Sequence, residues 1–204
     1  MPAPGPRRRF PLASAGCAPH KKAHSRTVPD PTPSLEDKYQ RLLAIIASHG
    51  RVAVAFSGGV DSSLLCRAAR TAVGDGAIAI TLVSPMMPSD DLATARLIAT
   101  QTGIAHFLIE DQDLDEPIAA NPIDRCYHCK KIEFARIAEL AAAKGMRVVL
   151  DGSNRDDESD YRPGLKALAE LGVCSPLREA GLTKADIREL SRELGLPTWD
   201  KPAA

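Results

Sequence analysis

Arg51-Val-Ala-Val-Ala-Phe-Ser-Gly-Gly-Val-Asp-Ser-Ser63 is the stretch that decides the architecture. Val52 to Phe56 are apolar without alternation, the pattern of a short strand buried on both faces. Asp61 to Val73 reads as a helix, with Leu64, Leu65 and Ala68 on one side. Between them the pair Gly58-Gly59 lets the backbone turn sharply, and leaves no Cβ in the way of a close approach. A strand, a glycine turn and a helix in immediate succession are the opening half of a βαβ unit, which predicts a parallel sheet.

The pattern repeats outward in both directions. Upstream, Ser34 caps a helix whose apolar positions Leu35, Tyr39, Leu42, Leu43 and Ile46 follow helical spacing as far as Gly50. Downstream, strands are predicted over Ala77–Val83, His106–Glu110 and Met146–Leu150. Helices are predicted from Ser89, over about Arg125–Lys144, near Gly164–Leu171, and over Thr183–Leu194. Strands that are apolar throughout and separated by helices indicate a doubly wound, Rossmann-like α/β fold. Ligands in such folds sit at the carboxyl ends of the strands, so the informative loops follow Phe56, Val83, Glu110 and Leu150.

Composition excludes several classes. The 204 residues carry 26 basic and 26 acidic side chains, so no net basic field favours nucleic acid or an anionic membrane. No apolar run approaches the roughly 20 residues of a membrane-spanning helix. Five cysteines, an odd number, argue against a disulfide framework and leave metal or sulfur chemistry. A cytoplasmic enzyme is expected. Residues 1–33, rich in Pro, Arg, Lys and Ser with no apolar core, are expected to form a disordered basic tail, and residues 34–204 the folded domain.

The glycine turn has a chemical reading. A helix starting near Asp61 points free N–H groups and the positive end of its dipole at the turn, and Ser57, Ser62 and Ser63 add hydroxyl donors. Ser57, Gly58, Gly59, Asp61, Ser62 and Ser63 are therefore the candidate anion cradle. No Lys-Ser/Thr pair follows at the Walker spacing, and the turn is not GxGxxG. Asp61 would repel a polyphosphate unless a divalent cation lay between them, so the loop implies Mg²⁺.

Two further constellations stand apart. Asn121-Pro-Ile-Asp-Arg-Cys-Tyr-His-Cys-Lys-Lys131 places Cys126 and Cys129 three apart at a helix start, where the dipole lowers thiol pKa. One CxxC does not close a metal site by itself. Cys66 and Cys174 read as core residues. Asp151-Gly-Ser-Asn-Arg-Asp-Asp-Glu-Ser-Asp-Tyr-Arg-Pro-Gly164 begins at the carboxyl end of a predicted strand. Asp151, Gly152, Asn154, Tyr161 and Arg162 are its candidates for touching a substrate.

SGGVDS resembles the PP-loop of the N-type ATP pyrophosphatases, the adenine nucleotide alpha hydrolase-like fold. With NPIDRCYHCK, DGSNRDDESDYRPG, SPLREAGLTKADIREL and GLPTWDKPA in the same order, the chain resembles the LarE-type ATP-dependent sulfur transferases of nickel-pincer cofactor biosynthesis. The resemblance covers about Leu35 to Ala204. It implies ATP and Mg²⁺, adenylation of a carboxylate on a pyridinium dicarboxylate mononucleotide with release of pyrophosphate, and attack by a cysteine sulfur on the activated carbonyl. In the sacrificial version the donor cysteine becomes dehydroalanine. In members with the CxxC pair, three cysteines resemble a ligand set for a [4Fe–4S] cluster, and Cys126 and Cys129 match two of them. The family also implies a homo-oligomer.

The departure is at the end. In the family a cysteine and a Ser-Arg pair follow WDKPA, and this chain stops at Ala204. The expected donor thus lies beyond the sequence, together with the family's C-terminal region, and the chain is expected to bind ATP but to transfer sulfur poorly alone. Three alternatives stay open: a tRNA thiolase, an amide-forming synthetase of the same superfamily, and a non-catalytic nucleotide-binding module.

Overall fold

The computed structural model describes residues 33–83, 89–110, 125–159 and 163–202. The expected basic tail, up to residue 32, lies outside them, as do Tyr161 and Arg162. A capping box opens the first helix, α1 (Leu35–His49): the Ser34 hydroxyl accepts from the Asp37 amide while the Asp37 carboxylate accepts from the Ser34 amide. Then follow β1 (Val52–Ala55), α2 (Val60–Val73), β2 (Ala77–Val83), α3 (Ser89–Thr102) and β3 (Ala105–Glu110). The remainder comprises α4 (Arg125–Ala143), β4 (Val148–Leu150), a 3₁₀ turn (Arg155–Ser159), α5 (Pro163–Glu170), α6 (Pro176–Glu179) and α7 (Lys184–Glu193).

The four strands are all parallel, in the order β3-β2-β1-β4. Helices cover both faces, as the apolar strands demand. One layer packs Leu42 and Ile46 of α1, Leu64 and Leu65 of α2 and Ile98 of α3 against Val54 and Leu150. The other sets Phe134 and Ile137 of α4 and Leu168 of α5 against Ala53, Ile80 and Val149. Each fully buried Leu or Ile contributes about 2 kcal/mol through removal from water. A doubly wound sheet is thus observed. Its strand order reverses between β1 and β4, and the carboxyl ends flanking such a switch point are where open α/β sheets bind ligands.

Some boundaries move for local reasons. Met146 was expected in a strand, but its N–H bonds back to the Ala141 carbonyl at 2.9 Å behind Gly145, closing the end of α4. Cys174 makes only a single parallel bridge with Leu150, because Pro176 cannot donate to a longer ladder. A second capping box, Thr183 with Asp186, starts α7, and Lys38 of α1 reaches Asp186 at 2.6 Å. Among the described residues no helix is long and apolar enough to cross a membrane.

Candidate functional site

The β1–β2 ladder ends where the Phe56 N–H meets the Ile80 carbonyl at 2.8 Å, and the chain then leaves the sheet. Gly58 sits at φ +76°, in the left-handed region, with its Cα turned into the first turns of α3. A Cβ there would lie 2.5 Å from the Asp91 carbonyl oxygen and 3.3 Å from the Ala95 nitrogen. Gly59 is the N-cap of α2 and offers no side-chain cap, so the opening amides of that helix keep their capacity for an anion.

The three serines divide. Ser63 is fully buried and commits its hydroxyl to the Gly59 carbonyl at 2.7 Å, bracing the turn. The Ser57 and Ser62 hydroxyls stand 3.2 Å apart, and Ser62 also reaches the Gly59 carbonyl at 3.3 Å. Ser57 is the exposed member of the set.

Asp61, in the first turn of α2, carries most of the electrostatics. Lys184, at the start of α7, pairs with its Oδ2, while Oδ1 is buried with no hydrogen-bond partner. Burial pushes the Asp61 carboxyl above its ordinary value against the pull of Lys184, and Asp157 of the 3₁₀ turn adds to the rise. A half-paired, desolvated carboxylate beside the glycine turn has the chemistry of a ligand for a hard cation, since Mg²⁺ is usually held by one or two carboxylates plus phosphate oxygens. Gly152 explains how the second loop comes so close: a Cβ there would lie 3.3 Å from both the Asp61 Cβ and the Ser62 nitrogen.

The loop after β4 is ordered largely by its own polar groups. Asp151 is buried, and its carboxylate accepts from the Ser153 amide at 3.2 Å and from the hydroxyls of Ser153 and Ser175. Asn154 is buried too; its Oδ1 accepts from the Asp156 amide at 2.9 Å, an Asx turn that shapes the 3₁₀ segment. Asp151 and Asn154 therefore hold the loop, and Gly152 presents it to Asp61.

Two lysines that sequence patterns did not single out converge on the cradle. Lys184 is one. Lys201 is the other, its Nζ 3.1 Å from the Gly58 carbonyl and 2.6 Å from an Asp91 carboxylate oxygen. Arg188 of α7 presents Lys201 by donating to the Trp199 and Lys201 carbonyls at 2.9 and 2.7 Å. One clue to Lys184 was visible: a cation in the first turn of a helix opposes the dipole, and implies a partner elsewhere. Nothing local marks Lys201.

Three cysteines are among the described side chains. Cys66 is buried in α2, where burial pushes its thiol up, and Cys174 is buried beside Leu150. Cys129 is half-buried in the first turns of α4. The side chain of Cys126 is outside the described residues. Among those residues no group of three or more His, Cys, Asp or Glu is placed to hold a metal ion.

With this geometry in hand, the likeness to known proteins is specific. A protein of Synechocystis sp. is 43% identical over 170 residues, covering 83% of this chain and 63% of that one. The pyridinium-3,5-bisthiocarboxylic acid mononucleotide synthase of Lactiplantibacillus plantarum is 38% identical over 173 residues, covering 84% of this chain and 63% of that enzyme. The chain thus spans 63% of the length of these two relatives. The solved structure of NMN synthetase from Francisella tularensis shares the fold at a TM-score of 0.69, with 18% identity, over 85% of this chain and 76% of that one. The asparagine synthase family model matches residues 44–156, which take in β1, the glycine turn, α2 and the start of the loop after β4. The chain belongs to the asparagine synthase family, an ATP-using family of PP-loop proteins.

Proposed function

We propose that this chain binds Mg-ATP and adenylates a carboxylate of a pyridinium dicarboxylate mononucleotide, as the activating part of an ATP-dependent sulfur transferase. The observation that carries the first half is Asp61, with one carboxylate oxygen buried and unpartnered at the mouth of the phosphate loop. The second half rests on the printed name of the Lactiplantibacillus relative.

The β- and γ-phosphates of ATP lie on the Gly58-Gly59 turn, where the opening amides of α2 and its dipole meet their charge. Asp61, through its unpartnered Oδ1, would hold Mg²⁺, which would neutralise phosphate charge there. Lys184 then has two anionic partners in reach, Asp61 and the nucleotide, and supplies the positive charge that pyrophosphate keeps as it leaves. An oxygen of the substrate carboxylate attacks the α-phosphorus, the bond to the bridging oxygen of pyrophosphate breaks, and an acyl adenylate remains. The protein contributes position and charge rather than a covalent bond to the nucleotide. Sulfur enters afterwards, as a thiolate attacking the acyl carbon and expelling AMP. Cys66 and Cys174 are buried, so neither serves as that thiolate.

Mg-ATP titration by calorimetry tests the first half, and exchange of labelled pyrophosphate into ATP tests the second. Exchange is expected only when the pyridinium dicarboxylate mononucleotide is added. Exchange driven instead by nicotinic acid adenine dinucleotide or by tRNA would replace the substrate assignment. Binding without exchange under any condition would leave a nucleotide-binding module. Lys184→Met is expected to weaken Mg-ATP binding about tenfold, the effect of roughly 1.4 kcal/mol, and the same titration checks it.

A further inference from the structure

Beneath the phosphate loop lies a chain of hydrogen bonds that the chemistry above does not use. Thr81, in the middle of β2 and 1% exposed, places its Oγ1 2.6 Å from the Phe56 carbonyl oxygen. The same Oγ1 is 2.8 Å from Nε2 of His106 on β3. The His106 ring also packs edge-on against Phe56, with centroids 5.6 Å apart and planes at 62°. Phe56 is the residue at which the strand becomes the loop, and its N–H makes the last ladder bond.

The direction of these bonds follows from chemistry. A carbonyl oxygen has no proton to give, so the Thr81 hydroxyl must donate to Phe56. Its one proton is then spent, and Oγ1 can only accept from His106. Nε2 of His106 therefore carries hydrogen, and it does so in the neutral and the protonated ring alike. Burial, with Arg96 of α3 nearby, pushes the imidazole below its ordinary value, so the neutral ring with its proton on Nε2 is the form present at neutral pH.

We propose that Thr81 and His106 form a side-chain bracket that fixes the direction in which the phosphate loop leaves the sheet, making both of them positioning residues for nucleotide binding. The inference rests on the Mg-ATP reading given above. A parallel ladder would ordinarily pin a carbonyl at this point with a backbone N–H. The bracket supplies a hydroxyl donor instead, at the place where the chain must diverge. A hydroxyl aligned by a second donor holds the carbonyl in one direction, and the next residues, Ser57, Gly58 and Gly59, inherit it. His106 touches neither the loop's anion-facing amides nor Asp61, so it acts through Thr81.

Four variants separate positioning from bulk stability. Thr81→Val keeps shape and removes the hydroxyl, and Thr81→Ser restores the hydroxyl. His106→Ala removes the donor, and His106→Gln offers an amide N–H in its place. In ¹⁵N-labelled, ligand-free protein, Thr81→Val and His106→Ala should shift and broaden the Ser57, Gly58 and Gly59 amide signals. Thr81→Ser and His106→Gln should leave them near their native positions. Mg-ATP titration of the same four should show about tenfold weaker binding for the first two and under threefold change for the rescues. The ¹⁵N shifts of the His106 ring in the native protein should report a protonated Nε2 and a bare Nδ1. Native loop signals in folded Thr81→Val, or a ring protonated on Nδ1 alone, would overturn the bracket. If the native protein fails to bind Mg-ATP while the loop signals respond as expected, the bracket stands and the nucleotide reading falls.

Discussion

Gly58→Ala is expected to lower the unfolding midpoint by about 10 °C and to abolish measurable Mg-ATP binding by the protein that remains folded. Two costs add. At φ +76° a residue with a Cβ occupies the left-handed region, at about 1–2 kcal/mol. The new methyl would also sit 2.5 Å from the Asp91 carbonyl oxygen, which is backbone and cannot swing away. Crowding of that kind costs a further 1–3 kcal/mol or so, and a protein of this size loses about 2–4 °C per kcal/mol. Gly195→Ala is the internal control. Its φ is +69°, yet nothing lies within 4 Å of the added Cβ, so only the conformational part should appear, about 1–2 kcal/mol. Scanning calorimetry of the pair isolates the contact with α3. Equal losses in the two variants would remove the claim that the loop is wedged against Asp91.

Asp61→Asn should separate stability from binding in opposite directions. Burial raises the Asp61 pKa above 3.8, so proton uptake favours the folded state. The stabilisation from that uptake is complete below the ordinary carboxylate value and is lost as pH rises through the raised one. At neutral pH the ionised carboxylate therefore weighs against the ligand-free fold, and a neutral amide of the same shape removes that weight. Lys184 loses its partner in the variant, but its side chain is 30% exposed and can turn to water. Unfolding at pH 7 is thus expected at the native temperature or above it. Mg-ATP binding should fall about 100-fold, the scale of losing one preorganised charged group, near 2.7 kcal/mol. Titration with and without Mg²⁺ decides the matter: an unchanged metal dependence would take Asp61 out of the cation's ligand set.

The strand, glycine turn and helix were legible in the sequence because they are local. Val52 to Phe56, Gly58, Gly59 and Asp61 carry their meaning within ten residues, and a strand, a turn and a helix each have a period or a punctuation mark. The parallel sheet was legible too, since its strands are apolar throughout. What could not be read depends on pieces brought together from far away. Lys184 and Lys201 stood inside the stretches SPLREAGLTKADIREL and GLPTWDKPA with no individual role assigned. Only the reversal of strand order between β1 and β4 shows that both flank the phosphate loop. Thr81 and His106 were hidden for a related reason. Each belongs to its own strand, and their alignment under Phe56 requires the β2–β3 register, which pairs Ala79 with His106. In the loop after β4, Asp151 and Asn154 were marked as candidates to touch a substrate, and both are buried with local hydrogen-bond partners. Short polar side chains that satisfy nearby backbone groups look the same in sequence as those that face a ligand.

The ties from Lys184 and Lys201 back to the loop set a timetable for the chain's birth. Lys184 is separated from Asp61 by 123 residues, and Lys201 from the Gly58 carbonyl by 143. Synthesis at about 5–20 residues per second separates the two ends of the longer tie by roughly 7–30 s. Throughout that interval the glycine turn exists without the cations that brace it, and contacts of such long sequence separation form late in folding. The brace on the glycine turn is thereby deferred until Lys201 has been made, so a chain that stops short of it has the turn without the cations that hold it.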